Sequence, residues 1–191
     1  MRIQSTASSP TVLISRQRLE ERVAELAQEI NRDYADTELL VCIGVLKGSV
    51  FFMVDLLKQV EVPVAVDFFQ TTSYVGTSAR GEVRIRKDLD LFIRDRDVLL
   101  VEDIVDTGYT LRTILDLLRF RGAKSVKLCA LLDKIEAREV DVPIDYSGFQ
   151  IGNVFVVGYG LDFDERYRNL PFIGTLADDT APGPESGDRQ S

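Results

Sequence analysis

The sequence predicts an α/β fold built on an open, mostly parallel twisted sheet flanked by helices, and three observations carry that expectation. Short, predominantly apolar runs recur at 39–46, 64–69, 98–101 and 125–132, with 98–101 continuous, the pattern of strands buried on both faces of a parallel sheet. Segments of helical periodicity lie between several of them, as parallel crossovers require. The run Val98-Leu99-Leu100-Val101 then ends directly in Glu102 and Asp103. Two carboxylates at the end of a buried strand are costly to desolvate unless they face a ligand, a metal or water, and open α/β sheets bind ligands in the crevice at that end.

Taken in order, residues 1–12 carry no clear element, and Val12 to Ile14 read as a short edge strand. Ser15 is placed to cap a helix with Leu19, Val23, Leu26, Ala27 and Ile30 on one face. The buried strand 39–46 leads through Gly48-Ser49 into a second helix carrying Phe51, Phe52, Val54, Leu56 and Leu57. A third strand at 64–69 follows, joined to the previous one by a crossover of right-handed sense. Residues 71–86, TTSYVGTSARGEVRIR, lose periodicity and apolar content. Such a stretch serves as a mobile lid or as a solvated hairpin whose ends pair as strands, and the two readings are compatible.

Leu111, Ile114, Leu115 and Leu118 recur at i, i+3, i+4 and i+7, which sets a helix from near Thr110 to Gly122. The strand 125–132 ends in Asp133-Lys134. Asp145 to Ile151 and Val154 to Leu161 read as two more strands joined by a tight turn at Gly152-Asn153. Order is expected to end near residue 177, because residues 178–191 hold no large aliphatic side chain. The organisation expected is one domain over 1–177 and a disordered tail over 178–191.

Composition narrows the chemistry. A net charge of −8 argues against nucleic acid as partner, since that binding is driven by lysine and arginine on phosphates. No apolar run approaches the length of a membrane span and no signal-peptide core is present, so a cytoplasmic protein is expected. Cys42 and Cys129 each sit in an apolar strand-like run and read as small buried hydrophobes. The chain contains 0 histidines, which removes the commonest general base and metal ligand. Acid–base work falls to Asp, Glu, Lys or Tyr, and any metal should be a hard cation on oxygen, with magnesium beside phosphate the first candidate.

The turn Asp106-Thr107-Gly108-Tyr109-Thr110 falls at the start of the third predicted helix. Backbone N–H groups there lack helical partners and carry partial positive charge, and the hydroxyls add donors, so the turn reads as a phosphate cradle beside a carboxylate pair. Asp106 itself, read locally, suits a helix cap.

The stretch VLLVEDIVDTGYT resembles the phosphoribosyl pyrophosphate signature of the type I phosphoribosyltransferases. Three further stretches resemble the bacterial hypoxanthine-guanine branch of that family: Val45-Leu46-Lys47-Gly48-Ser49, Ser73-Tyr74, and Phe155 to Arg168, FVVGYGLDFDERYR. The resemblance spans residues 10 to 177 and implies the type I phosphoribosyltransferase fold, with a small hood built from N- and C-terminal segments. It implies transfer of a 5-phosphoribosyl group from phosphoribosyl pyrophosphate to N9 of a 6-oxopurine. It also implies Mg2+ as cofactor and a homo-oligomer, dimer or tetramer.

By the same resemblance, Glu102 and Asp103 hold the ribose hydroxyls directly or through magnesium, and Asp106, Thr107, Gly108, Tyr109 and Thr110 take the 5′-phosphate. Asp106 exchanges a proton with purine N7. Lys134 meets the purine O6, Phe155 stacks on the base, and the backbone of Val156 reads its far edge. Asp162 ligates a second magnesium beside the purine. Leu46, Lys47, Gly48, Ser73, Tyr74 and Arg168 contact pyrophosphate, in the family often through a cis peptide before the lysine. Val154 departs from the pattern, because many relatives carry lysine there, and this leaves the preference among hypoxanthine, guanine and xanthine open. A regulator on the same fold, binding phosphoribosyl pyrophosphate or nucleotide, would need a basic recognition surface that a pI near 4.7 does not supply.

Overall fold

The structure is a computed structural model that describes residues 9–74 and 82–176. The main sheet forms because each apolar run splits its side chains between two cores. Strand β2 (Leu40–Val45) sends Leu40 and Cys42 to one side and Val41, Ile43 and Val45 to the other. Strand β5 (Asp97–Val105) does the same, with Leu99 and Val101 opposed to Val98 and Leu100. Helices α1 (Arg16–Asp33) and α2 (Val50–Leu57) close the first core, and α3 (Tyr109–Phe120) closes the second. With both faces covered, no alternating polar residue is needed, which is why the runs are continuous. Both cysteines lie in the first core, reduced and fully buried.

The sheet order is β4 (Glu82–Lys87), β3 (Val64–Tyr74), β2, β5, β6 (Ser125–Asp133) and β7 (Tyr146–Gln150), with β4 alone antiparallel. From β2 the chain crosses through α2 to β3 on one side. From β5 it crosses through α3 to β6 on the other. The neighbouring strands β2 and β5 therefore release their C-terminal loops in opposite directions, which opens a crevice between them at a topological switch point.

Local signals account for the helices. The Ser15 hydroxyl accepts from the Arg18 amide at 3.3 Å, and the predicted face of α1 is buried throughout. In helix α2, for which the sequence marked no face, Phe52, Met53 and Leu56 are buried, while Phe51 and Val54 are exposed. Nearly every position of this short helix is apolar, so periodicity could not select the inward side.

A second sheet joins the chain ends of the described region: β1 (Thr11–Ile14), β9 (Ile173–Thr175) and β8 (Val156–Val157), all antiparallel. This is the hood expected from N- and C-terminal segments. It corrects the reading of Asp145–Ile151 and Val154–Leu161 as a strand pair joined by a tight turn. β7 instead pairs parallel with β6, and β8 shrinks to two residues paired with β9. The backbone turns left-handed through Gly158, Tyr159 and Gly160, at φ of 99, 50 and 104°, and this ends the strand.

The segment 71–86 enters and leaves as a hairpin, with Thr71–Tyr74 paired to Ile85–Glu82. Residues 75–81, on which the lid reading falls, lie outside the described residues, as does the tail 178–191. Among the described residues no helix is long and apolar enough to cross a membrane.

Asp67 fastens this hairpin to the loop after it. Its carboxylate is 5% exposed. It accepts from the amides of Phe68 at 2.7 Å, Asp90 at 2.7 Å and Leu91 at 2.9 Å, and from Lys87 Nζ at 3.1 Å. Burial pushes the carboxyl up, but these donors outweigh it and hold it below the usual aspartate range. A lowered folded value means that the stability from this group is complete above the ordinary aspartate pKa, 3.8, and is lost as pH falls through the folded value. Asp67→Asn should cost about 3 kcal/mol at neutral pH, since it leaves buried donors poorly matched. Urea melts at pH 7 and pH 3 should show that difference shrinking in acid; an equal difference at both would remove the charged network as its cause.

Candidate active site

The functional side chains gather where β2 and β5 end. Strand β5 continues past its apolar run to Val105, so Glu102 and Asp103 belong to the strand rather than to a following loop. Glu102 Oε2 is enclosed and has no hydrogen-bond partner among the described residues. Burial, followed by the neighbouring Asp103, pushes its carboxyl well above the usual range. Asp103 is pushed up to about 6 by burial, against the pull of its own amide, the Ile104 amide and Arg168.

The loop after β2 presses directly on this pair. A Cβ on Gly48 would lie 1.6 Å from Asp103 Oδ2, so any other residue there must displace the carboxylate or the loop. The peptide between Leu46 and Lys47 is cis. Lys47 reaches Glu165 with Nζ to Oε1 at 2.8 Å. Arg168 spans the same turn, donating to the Gly160 carbonyl at 2.7 Å and pairing with Asp162 at 2.8 Å and Glu165 at 3.3 Å. The 160–168 turn thereby touches the β2 loop and places Asp162 and Arg168 near Asp103.

The turn after β5 has the form expected of an anion site. Helix α3 starts behind Gly108, which has φ 92° and gives no side-chain cap. Asp106 therefore does not cap the helix. Its side chain is 54% exposed, and Lys134 Nζ approaches it to 3.7 Å from a position 9% exposed. Lys134 is held there because β6 ends beside β5, with the Lys134 amide donating to the Val105 carbonyl at 3.0 Å. Tyr109 is exposed at the start of α3, and Thr107 and Thr110 flank the same N-terminus.

On the hood, Val156 is buried in β8. Phe155, just before it, stands 42% exposed with its ring edge-on to Phe163, centroids 5.6 Å apart. An exposed phenylalanine is available to a ligand in a way that a core phenylalanine is not. Val154, also partly exposed, adds no charge there. The side chains of Ser73 and Tyr74 lie outside the described residues.

The structure therefore brings Leu46, Lys47, Gly48, Glu102, Asp103, Asp162 and Arg168 to one side of the crevice, and Asp106 to Thr110 with Lys134 to the other. Sequence reading missed Glu165, which ties Lys47 to Arg168, and Arg138, which binds the Asp106 carbonyl at 3.2 Å. Both sit in polar stretches with no periodicity to mark them. A groove of about 390 Å3 between α1, α2 and Asn169–Pro171 holds none of the predicted site residues.

The contact of Gly48 with Asp103 is a sharp test of the arrangement. Gly48→Ala must displace either the loop or the carboxylate, and a misplacement of about 1 Å in a catalytic site costs on the order of 100-fold in rate. Turnover assays with thermal melts should show that loss with little change in melting temperature; retained activity would mean that the loop's position is not critical.

Comparison with known proteins agrees with this geometry. The phosphoribosyl transferase domain matches residues 13–164. The chain is 48% identical over 166 residues to the hypoxanthine-guanine phosphoribosyltransferase of Bacillus subtilis (strain 168), covering 86% of this chain and 92% of that protein. It is 52% identical over 166 residues to the bifunctional protein TilS/HprT of Listeria monocytogenes, covering 86% of this chain but only 26% of that longer protein. A crystal structure of a hypoxanthine-guanine phosphoribosyltransferase from Bacillus anthracis superposes with a TM-score of 0.83 at 43% identity, covering 88% of this chain and 97% of that one. Carboxylates at the end of β5, an uncapped helix start beside them and a loop pressed against both are thus features of a chain that belongs to the phosphoribosyltransferase family, in its hypoxanthine-guanine branch.

Proposed function

We propose that the protein is a purine salvage enzyme that transfers 5-phosphoribosyl from phosphoribosyl pyrophosphate to N9 of hypoxanthine or guanine, giving IMP or GMP and pyrophosphate. The observation that carries this reading is Lys134 at 3.7 Å from Asp106, at the mouth of the phosphate turn. A buried ammonium offers three donors and no acceptor, so it favours the purine 6-oxo group and penalises the 6-amino group of adenine. Asp106 beside it is left to meet the imidazole edge of the base.

The remaining roles follow the position of each group. The N–H groups at the start of α3, with the Thr107 and Thr110 hydroxyls, take the 5′-phosphate, and Gly108 and Tyr109 contribute backbone. Glu102 and Asp103 accept from the ribose hydroxyls. Lys47, the Leu46–Gly48 backbone and Arg168 hold pyrophosphate, with Ser73 and Tyr74 at the end of β3 completing that set. Phe155 lies against the face of the base and the Val156 backbone reads its far edge. As the bond from C1′ to pyrophosphate breaks, N9 forms the new bond and the base gives up a proton, which the Asp106 carboxylate takes from N7. Binding the two substrates in register supplies most of the remaining acceleration.

Magnesium fits the donors present. Glu102 Oε2 is an enclosed carboxylate oxygen without a partner, and the neighbouring Asp103 and Asp162 offer hard oxygen ligands. Among the described residues no three acidic, cysteine or histidine side chains form a cage. Magnesium commonly takes one or two carboxylates and completes its shell with substrate oxygens and water. When bound, it would offset the charge of the leaving pyrophosphate. The same reading places the enzyme in the cytoplasm as a homo-oligomer, acting on small molecules and not on nucleic acid or membrane.

Purified protein given magnesium and phosphoribosyl pyrophosphate should convert hypoxanthine or guanine to the monophosphate; no product with any 6-oxopurine would overturn the reading. Comparing kcat/KM for hypoxanthine, guanine and xanthine sets the base preference. Asp106→Asn should lower kcat by roughly 100-fold or more while leaving phosphoribosyl pyrophosphate binding within a few-fold, as expected for a lost general base. Parallel losses in both would reassign Asp106 to substrate binding. Lys134→Ala should narrow the preference for hypoxanthine over adenine by at least about tenfold, and unchanged selectivity would remove its role.

A further inference from the structure

The N–H groups of a phosphate turn can face a ligand only if the carbonyls of the same peptides are held on the opposite side. In a trans peptide the two point in opposite directions, and the peptides of this turn are trans. The carbonyls of Asp106 and Thr107 both have partners, and the partners come from one short segment beyond the strand end that carries Lys134. Arg138 Nε donates to the Asp106 carbonyl at 3.2 Å. The amides of Glu139 and Val140 both donate to the Thr107 carbonyl at 3.0 Å. The segment also packs against the turn: a Cβ on Gly108 would meet the Val140 carbonyl at 2.6 Å and Arg138 Cδ at 3.2 Å.

The arginine is built into place. Its Nη1 donates to the Val142 carbonyl at 3.2 Å and its Nη2 pairs with Asp133 Oδ1. The Arg138 and Asp133 side chains are only 16% and 11% exposed. The carboxylate offsets the charge of the half-buried guanidinium, and the planar fork lets one side chain satisfy three acceptors at fixed angles, which an ammonium cannot do. A charged donor on the Asp106 carbonyl also polarises that peptide, so the Thr107 N–H on its far side becomes the stronger donor.

We propose that Arg138 is a positioning residue for the 5′-phosphate: it holds the Asp106 carbonyl so that the Thr107 N–H is presented to the phosphate, while the Glu139 and Val140 amides hold the Thr107 carbonyl and with it the Gly108 N–H. It touches no reacting atom and acts through the loop alone. The proposal rests on the reading of Asp106 to Thr110 as the phosphate site.

The test compares a ligand that carries the 5′-phosphate with one that lacks it. Calorimetric affinities for IMP and for inosine would be measured on the native protein and on Arg138→Lys, Arg138→Ala and Thr110→Ala, with thermal melts of each. Arg138→Lys and Arg138→Ala should bind IMP about tenfold to a hundredfold more weakly, with inosine affinity changed less than about threefold. Millimolar guanidinium should restore part of the IMP affinity of Arg138→Ala. If Arg138→Ala does not fold, the comparison rests on Arg138→Lys, which keeps the charge and most of the volume. Equal losses for IMP and inosine, or native IMP affinity in Arg138→Lys, would overturn the proposal. If Thr110→Ala weakens IMP selectively and the Arg138 variants do not, the phosphate site stands and the positioning role falls. If none of the variants discriminates the two ligands, the phosphate assignment itself falls.

Discussion

The structure depends on the cost of holding two carboxylates at the end of a strand that is buried on both faces. Val98 to Val101 cannot move without exposing both cores, so Glu102 and Asp103 are fixed at the crevice with the rigidity of the sheet. Protein alone does not satisfy Glu102, whose Oε2 has no partner among the described residues, and burial pushes both carboxyls up although backbone amides donate to Asp103. A site of this kind trades stability in the free protein for preorganisation toward a ligand that brings hydroxyls or a cation. The loop at Gly48 and the turn ending in Arg168 are shaped around the same pair, one by the absence of a Cβ and the other by its charge.

Topology turns that constraint into a two-sided site. Because β2 and β5 lie side by side and lead to α2 and α3 on opposite faces, their loops part and leave a crevice without any special insertion. Strand β6 then sets Lys134 next to Asp106, and the hood brings Phe155 and Arg168 from far along the chain. Rigid strand ends fix Glu102 and Asp103 on β5, and Lys134 directly follows β6.

Much of the site was legible in the sequence because its main parts are local. The strand, the acid pair, the phosphate turn and the amphipathic helix are consecutive in VLLVEDIVDTGYT and its sequel, and each is marked by periodicity or residue type. The absence of histidine already confined any acid–base work to Asp, Glu, Lys or Tyr. What stayed hidden were contacts between polar residues far apart or without pattern, such as Lys47 with Glu165 and Arg138 with the Asp106 carbonyl. The helix-cap reading of Asp106 fell away only when Gly108 proved to be the cap position of α3.

The sequence by itself determined the fold class, the main strands and helices in their order along the chain and the chemistry available, because burial on two faces and helical periodicity leave direct marks in residue order. Tertiary structure decided which groups meet. It drew Val156 and Val157 out of an expected strand pair and into the hood, since left-handed backbone at Gly158 to Gly160 ends the strand and β6 already offers its edge to β7. It turned Phe51 and Val54 outward on a helix that is apolar almost all round. It also placed Lys134 against Asp106 and Gly48 against Asp103, contacts made by strand register and loop packing that no local pattern encodes.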